Sequence, residues 1–486
     1  MNRNSFLIIV FLLTTYFTYG QKNITLQFNK EGQFKIAQFT DVHWDNKSPN
    51  CIKTTEVINS VLQVEKPDLV VLTGDIVTAP PAKDGWRALG KIFEKAKTPW
   101  AVVLGNHDAE TDLTRQEIFD VIISLPFFVG IKGPKISGVG NYVLPIMGSK
   151  QRQSAALLYC LDSHNKPSAH KYGHYDWIHF DQIDWYRKTS EAFSKKNNNQ
   201  PLPALAFFHI PLLEYNNIVG KGTTVGIKKE GVAASEINSG LFGSFIEKAD
   251  VMGVFVGHDH NNDYIGIEHD IALAFGRTSG IDAYGVLERG SRIINLFEGK
   301  FQFDTWIRTK KGIEFAYYFP SGLSANDEDT MTYMPARSDV KNKTSGLSFT
   351  YYEGGRLKKI EDIFTKGKLI KEGVVNNFSF MPAESKDSFA LVFKGFIEIP
   401  ERAVYRFYTY SDDGSKLSID GKVVVDNDGS HSAQRKEGKI ALEPGLHEIE
   451  LVYFEDYMGE ILEVGWSSRF IREEVIPDKV LFTRKN

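Results

Sequence analysis

The sequence predicts an α/β domain built on packed sheets and flanking helices, followed by an all-β sandwich domain. Strand-like and helix-like segments alternate from residue 33 to about residue 308, which is typical of a largely parallel sheet, here expected as two packed sheets. From residue 347 onward, short alternating strands follow one another, separated by turns rich in glycine, aspartate and asparagine. The 486 residues also exceed one core, since a domain usually takes about 100–200 residues.

Short apolar runs predict the strands of the first domain. Residues 34–39 alternate between apolar and polar side chains. The other runs are nearly continuous in apolar residues, which suits strands buried on both faces; they are 68–72, 100–104, 155–161, 204–208 and 252–256. Helices are predicted between these strands. The apolar residues at 57, 58, 61 and 62 follow helical spacing, and residues 86–95 form a second helix.

The domain boundary is predicted where this pattern fails. Residues 321–330 are polar and turn-rich, so the α/β domain is assigned to 33–318, a linker to 319–344 and the β-sandwich to 345–486. Within the last segment, strands are expected at 404–410, 422–425 and 447–454, and one helix at 357–364.

The first twenty residues have the pattern of a cleaved export signal. Arg3 precedes an apolar run at 6–13, and small or polar residues follow up to Gly20. The alternative is a membrane anchor, but the run is short for the roughly 30 Å of hydrocarbon in a bilayer, and no later apolar run reaches that length. The protein is therefore expected to be secreted or periplasmic, with no membrane span in the mature chain.

Net charge bears on the partners of the protein, and cysteine content bears on whether it has disulfides. The formal net charge is -4 and no Lys/Arg run occurs, which gives no electrostatic reason to expect nucleic acid as a partner. Cys51 and Cys160 allow one disulfide, but nothing in their spacing requires it.

Polar clusters follow five of the predicted strands. Because ligands bind at the carboxyl ends of strands in α/β sheets, we expect all five to meet at one rim. Nitrogen and oxygen donors without a thiolate suit iron, zinc or manganese, and one carboxylate shared by two cations holds them about 3.5–4 Å apart. Each cluster alone could be an ordinary turn or a core histidine, but five in this order predict a metal centre. The clusters are Asp41 with His43, Asp75, Asn106 with His107 and Asp108, His209, and His258 with His260.

These clusters resemble those of the calcineurin-like metallophosphoesterases, and the resemblance runs through most of residues 33–310. Within that family, the sequence is similar in particular to the plant purple-acid-phosphatase-29-like branch. The similar segments are 34–43, 65–69, 104–108, 140–142, 208–211, 238–240 and 256–261. The resemblance implies a sandwich of two mixed sheets and a hydrolase that cleaves phosphate esters with a metal-bridging hydroxide.

The resemblance also implies a role for each residue. One metal ion would be held by Asp41, His43, Asp75 and His260, and the other by Asp75, Asn106, His209 and His258. His107 would protonate the leaving alkoxide or hold a phosphate oxygen, and Asp108 would fix the tautomer of His107.

The chain departs from true purple acid phosphatases at two positions. Thr78 stands where they carry a tyrosine, and His43 is present where they lack a histidine. The tyrosinate-to-iron charge transfer behind their purple colour is therefore not expected.

The C-terminal segment resembles the protective-antigen-type β-sandwich found on many secreted enzymes and adhesins. The resemblance rests on residues 405–421, 425–429, 442–449 and 462–466. It implies a carbohydrate partner, a polysaccharide or glycan, and a calcium ion held by Asp412 and Asp413, although the same residues suit an ordinary hairpin turn.

The leading interpretation is a phosphoesterase that acts on an extracytoplasmic phosphate ester. One alternative is a phosphodiesterase or a nuclease. The composition is not basic, which disfavours the nuclease, because binding nucleic acid depends on Lys and Arg contacts with phosphates. Another, from a different class, is a carbohydrate-binding adhesion protein with a vestigial enzyme domain. The motifs leave the preference between monoesters and diesters open.

Overall fold

The structure is a computed structural model that describes residues 24–150, 152–340 and 342–485. The export signal predicted at residues 1–20 lies outside this part of the chain. Within it, no helix is both long and apolar enough to cross a membrane. Cys51 and Cys160 are both free thiols.

Strands outnumber helices in the first domain, and the helices are spread along its length. In chain order its strands are β1 (Gln33–Phe39), β2 (Leu69–Thr73), β3 (Trp100–Val103), β4 (Tyr142–Met147), β5 (Ser154–Cys160), β6 (Ala204–Phe207), β7 (Val251–Val256), β8 (Ile265–Glu268), β9 (Ile271–Phe275), β10 (Gly290–Phe297), β11 (Phe303–Thr309), β12 (Gly312–Phe319) and β13 (Leu323–Ser324). Its helices are α1 (Asn50–Glu65), α2 (Ala82–Ala96), α3 (Arg115–Ile122), α4 (Phe180–Lys196), α5 (Leu241–Lys248) and α6 (Ala325–Thr330).

These strands form two mixed sheets, as the resemblance implies. The first sheet has the order β13-β12-β11-β10-β1-β2-β3 and the second the order β4-β5-β6-β7-β9-β8. Strands β1, β2 and β3 pair in parallel, as do β5, β6, β7 and β9, whereas β10 to β13 pair antiparallel. The expectation of a largely parallel sheet is therefore wrong for the first sheet, because no helix separates β10, β11 and β12 and consecutive strands can pair directly.

The core of the first domain lies between the two sheets. Every residue of β2 and of β7 is buried, which explains their continuous apolar sequence. A second apolar cluster covers the outer face of the second sheet, where Tyr186 of α4 and Phe245 of α5 pack on Tyr159 and Val254. The second sheet is thus covered on both faces, and the loops at the carboxyl ends of its parallel strands start from a rigid support.

The segment 319–344 differs from the polar linker expected there. It contains β13 and α6, and Leu323 is fully buried beside Tyr318, Val404 and Ala441 in an apolar cluster shared by the two domains. The sequence hides this packing because the buried apolar residues are few and stand among polar residues such as those of α6.

The second domain is a β-sandwich, as predicted. Its elements are β14 (Lys343–Ser345), β15 (Leu347–Glu353), α7 (Ile360–Lys366), β16 (Lys368–Val375), β17 (Phe389–Ile399), β18 (Ala403–Asp412), β19 (Ser415–Ile419), β20 (Lys422–Asn427), β21 (Gln434–Leu442), β22 (Gly445–Glu455), β23 (Ile461–Ser468), β24 (Glu474–Val475) and β25 (Leu481–Arg484). An eight-stranded antiparallel sheet packs on a four-stranded sheet of β21, β18, β23 and β24. Aromatic residues such as Tyr405, Tyr453 and Trp466 fill the space between them.

Candidate metal centre

The loops after β1, β2, β3, β6 and β7 meet at one rim of the first domain. They bring together two groups of side chains, and in each group one ligand atom per residue lies within 4.8 Å of the others. The first group is Asp41, His43 and His260, and the second is Asp75, His209 and His258. Convergence of this kind is expected where parallel strands of two packed sheets end on the same side.

The first group has a histidine oriented as metal ligands usually are. His260 Nδ1 lies 3.2 Å from the carbonyl oxygen of Tyr284, which only accepts, so Nδ1 carries a proton and Nε2 is the nitrogen left for a metal ion. That Nε2 lies 3.2 Å from Asp41 Oδ1, while Asp41 Oδ2 accepts a hydrogen bond from Thr40 Oγ1. Fixing one ring nitrogen on a carbonyl is the common way to aim the other at a metal ion.

The second group repeats this arrangement around Asp75. His209 Nδ1 donates to the carbonyl oxygen of Thr73 at 2.8 Å. Its Nε2, which lies 3.1 Å from Asp75 Oδ2 and 3.2 Å from His258 Nδ1, is the nitrogen left for a metal ion. The same Oδ2 lies 4.0 Å from His43 Nε2 of the first group. Asp75 therefore stands between the two groups, where a bridging carboxylate must stand.

Buried atoms without partners test whether the residues fit metal ions. Within the described residues, His43 Nε2, His258 Nε2 and Asn106 Oδ1 are buried and lack a hydrogen-bond partner. Leaving a buried polar atom unpaired costs roughly 1–3 kcal/mol, so atoms clustered in this way need an explanation. Asn106 belongs to the same rim, because the neighbouring N–H of His107 donates to Asp75 Oδ1 at 2.8 Å. Oxygen and nitrogen donors in two groups joined by one carboxylate fit a pair of transition-metal cations.

The charges of the centre also favour a cation. Burial disfavours an imidazolium at His209, but the Asp75 carboxylate outweighs it and raises the pKa of His209 to about 9. Burial likewise favours a neutral Asp75, yet His209 holds the pKa of Asp75 well below its ordinary value. At His258, burial and the charge on His209 lower the pKa to about 3. The metal-free centre thus keeps one proton beside Asp75, and a metal ion would replace that proton with a larger positive charge.

The backbone of the centre is held in an uncommon conformation. Asp41, His43, Asp75 and His258 all have φ between 45° and 78°, in the left-handed region. Each such residue costs of order 1–3 kcal/mol, and such residues cluster at functional sites. Gly105 has to be glycine for another reason, since a Cβ there would lie 2.2 Å from Asp75 Oδ1.

The structure corrects the role predicted for Asp108. Its carboxylate is fully buried and does not contact His107. Instead it accepts hydrogen bonds from the backbone N–H groups of Asp75, Ile76, Val77 and Gly105, at 2.7–3.0 Å. Asp108 is therefore a scaffold residue that holds the loop carrying Asp75 against the loop carrying Asn106.

The partner of His107 is a residue that the sequence analysis missed. Glu110 Oε2 lies 2.5 Å from His107 Nδ1, and the His107 side chain is 46% exposed. The carboxylate lies three residues after the histidine, a spacing that could have identified it. The backbone carbonyls that orient His209 and His260 leave no such signal in the sequence. The His107 ring centroid lies 6.0 Å from that of His43, which places His107 beside the first group.

A further group of acidic residues lies at the end of β18 in the second domain. Asp412, Asp413 and Glu455 each offer a carboxylate oxygen, all within 4.8 Å of one another. Backbone N–H groups hold the two aspartates: Ala433 donates to Asp412 at 2.9 Å and Asp456 donates to Asp413 at 2.8 Å. Burial raises the pKa of Glu455 to about 7, and its Oε1 has no hydrogen-bond partner in the described part of the chain. Glu455 is a candidate third ligand that the sequence analysis did not identify.

Two family profiles match the chain. Residues 34–262 match the calcineurin-like phosphoesterase family and residues 343–479 match the PA14 domain. A relative from Arabidopsis thaliana, "Probable inactive purple acid phosphatase 29", is 36% identical over 303 residues, which cover 55% of this chain and 78% of that protein. "Phosphatase DCR2" from Saccharomyces cerevisiae is 32% identical over 344 residues, 63% of this chain and 59% of that protein. Among solved structures, a dimetal phosphatase from Danio rerio is 12% identical and covers 58% of this chain and 98% of its own, with a TM-score of 0.42.

Proposed function

We propose that this chain, which belongs to the calcineurin-like phosphoesterase family, hydrolyses phosphate esters at the two groups of metal ligands around Asp75. One observation carries the proposal. Asp75 Oδ2 lies 3.1 Å from His209 Nε2 and 4.0 Å from His43 Nε2, so a single carboxylate oxygen faces a ligand of each group. Two cations held in this way would acidify a water molecule and neutralise charge on the transferring phosphoryl oxygens.

The protein's own residues supply the remaining steps. His107 is exposed beside the first group, and Glu110 occupies its Nδ1, so Nε2 is the nitrogen left to donate a proton to the leaving oxygen. Asp108 keeps the loop carrying Asp75 in place. Asn106 adds a neutral oxygen donor to the second group.

The names of the relatives do not decide whether the centre is active. One name contains the words "probable inactive" and another contains "phosphatase". The chain itself carries donors for both metal ions, and His43 is an additional candidate ligand. The only donor it lacks is the tyrosine associated with a purple iron centre, since Thr78 occupies that position. Iron, zinc and manganese all suit this donor set.

We further propose that the β-sandwich holds the enzyme on a polysaccharide or glycan outside the cytoplasm. The PA14 match and the carboxylates of Asp412, Asp413 and Glu455, which suit calcium, support a carbohydrate partner. The predicted export signal at residues 1–20 supports a secreted or periplasmic location. Amino-terminal sequencing of the mature protein recovered outside the cytoplasm tests the location and should begin near residue 21.

Hydrolysis assays with metals added back test the activity. The metal-stripped protein, reloaded separately with iron, zinc or manganese, should cleave p-nitrophenyl phosphate, bis-p-nitrophenyl phosphate or both, and the ratio separates a phosphomonoesterase from a phosphodiesterase. Asp75→Asn should lose the activity. Asp84→Asn, the same change on the exposed face of α2, should retain it. A wild-type protein that holds two metal ions and cleaves neither ester would leave the adhesion protein with a vestigial enzyme domain as the better interpretation.

A further inference from the structure

We propose that His164, Asp176 and His179 form a third metal site, which binds a single zinc ion. The three residues lie between the end of β5 and the start of α4, and none of them belongs to the two groups around Asp75. One ring nitrogen from each histidine and one carboxylate oxygen of Asp176 lie within 4.8 Å of one another. The histidine rings are adjacent, with centroids 4.5 Å apart.

The hydrogen bonds of Gln182 fix the tautomer of His164. The Gln182 amide nitrogen donates to Asn141 Oδ1 and to the carbonyl oxygen of Asp162, both at 2.8 Å, so the other end of its amide must be the oxygen. That oxygen lies 2.7 Å from His164 Nε2 and can only accept. His164 therefore carries its proton on Nε2 and keeps a lone pair on Nδ1. Metal-binding histidines are commonly held in this way, with one ring nitrogen hydrogen-bonded to a neighbouring group.

His179 and Asp176 already stand at the separation that zinc requires. His179 Nε2 lies 3.2 Å from Asp176 Oδ1, and two ligands of a tetrahedral zinc ion, each about 2.0–2.1 Å from the metal, lie about 3.3 Å apart. The N–H of Trp177 also donates to Asp176 Oδ1 at 3.0 Å, and the Trp177 ring stacks on His179 with centroids 5.2 Å apart. Two of the three ligands are thus held in place before any ion binds.

The chemistry of the three donors points to zinc rather than calcium or magnesium. Two imidazoles and one carboxylate suit zinc, whereas calcium and magnesium prefer oxygen ligands throughout. Three protein ligands leave one tetrahedral position for water. The side chains of His179 and Asp176 are 34% and 14% exposed, so an ion can enter from solvent.

The site would fix a loop that borders the catalytic centre. Tyr175 directly precedes Asp176, and its ring packs edge-on against His258 with centroids 4.6 Å apart. Zinc on Asp176 and His179 would anchor that loop. The binding itself does not depend on the proposed hydrolytic activity, so metal content is the measurement that tests it.

Zinc stoichiometry of the full-length protein tests the site. After saturation with zinc and removal of free metal, the double variant His164→Gln/His179→Gln should hold one zinc ion per chain fewer than wild type. The variant His174→Gln is the matched control, because His174 is 88% exposed in the same connection and lies outside the cluster. It should hold as much zinc as wild type. Equal zinc content in wild type and the double variant would overturn the proposal.

A crystal of the wild-type protein soaked in zinc gives a result that does not depend on how the variants fold. Anomalous scattering at the zinc edge should show a peak between His164, Asp176 and His179, in addition to those at the centre around Asp75. If zinc peaks form around Asp75 and none forms at this cluster, the third site does not exist. If the reverse occurs, the third site stands and the proposed catalytic centre fails.

Discussion

Asp108→Asn separates a scaffold role from a catalytic role. The Asp108 carboxylate accepts four backbone N–H groups, two on each oxygen. Asparagine is the same size but has one oxygen, so whichever way its amide turns, two buried N–H groups face an NH₂ group. Each unpaired group costs roughly 1–3 kcal/mol, which sums to about 2–6 kcal/mol. Burial and the nearby charge of Asp75 raise the pKa of Asp108, which means that the carboxylate is itself destabilised at this position. Replacing it with a neutral amide removes that destabilisation and offsets part of the lost hydrogen bonding. We expect a destabilisation of about 2–4 kcal/mol.

The measurement has to be local, because the two domains need not unfold together. Hydrogen exchange followed by mass spectrometry should show faster exchange in Asp108→Asn for peptides that contain Asp75, Ile76, Val77 and Gly105. Peptides from the β-sandwich should be unchanged and serve as the internal reference. Urea unfolding of the first domain gives the free energy. The metal content should fall with it, because Asp75 belongs to the same loop.

Glu110→Gln is the matched control, because it alters the residue that contacts His107 and leaves all four hydrogen bonds of Asp108 intact. It should unfold within about 0.5 kcal/mol of wild type, as surface substitutions usually do, and should retain its metal ions. If Asp108→Asn matches the wild type in stability and exchange but turns over as slowly as Glu110→Gln, the scaffold role is refuted, and Asp108 acts on His107 after all.

Four further predictions concern other parts of the molecule. His107→Ala should retain its metal ions and lose roughly 10²–10⁴-fold in turnover, with a smaller loss for esters whose leaving group is already good; equal losses would exclude proton donation by His107. Glu110→Gln should lose less than His107→Ala, as kinetics on the same ester series will show. The iron-loaded protein should lack the strong visible band of a tyrosinate–iron pair in its absorption spectrum, since Thr78 cannot supply it. The pKa of Glu455 is raised from 4.5 to about 7, so the folded β-sandwich binds this proton more tightly than the unfolded chain does. The stability of the β-sandwich should therefore fall as pH rises from 4.5 to 7. Thermal unfolding should show this fall, and added calcium should reverse it.

The strands and the polar clusters of the candidate metal centre could be predicted from the sequence because each has a local signal. A strand buried on both faces is a run of apolar residues, and β2 and β7 fall within two residues of the segments expected for them. The polar clusters stand directly after such runs. The position of each candidate ligand could therefore be read along the chain before any contact between strands was known.

The partners of those ligands could not be predicted, because they are set by contacts between distant segments. Asp108 stands next to His107 in the sequence, yet its carboxylate turns to the backbone after β2, about 30 residues away. The orientation of His209 depends on the carbonyl of Thr73, an atom that every residue possesses. The same limit applies to β10–β12, whose antiparallel pairing depends on the absence of intervening helices rather than on any motif.

The contacts between the domains decide how far the β-sandwich can be treated as a separate module. Tyr318 and Leu323 share a buried apolar cluster with Val404 and Ala441, and a side-chain carbon added at Gly222 would lie 3.1 Å from Glu437 Oε1. The connection that begins near Gly222 continues to the metal centre. There the Glu230 carboxylate accepts the N–H of Asn261, next to His260, and the N–H of Ala233 donates to Asp259. One continuous segment thus touches the β-sandwich at one end and the loop carrying His258 and His260 at the other.

A chain that ends inside 319–344 would expose the apolar cluster and leave that segment without its outer support. Soluble truncated protein should therefore be scarce. Whatever remains soluble should show faster hydrogen exchange across residues 219–239 than the full-length protein. Unchanged exchange there, together with normal turnover, would show that the metal centre needs no support from the second domain.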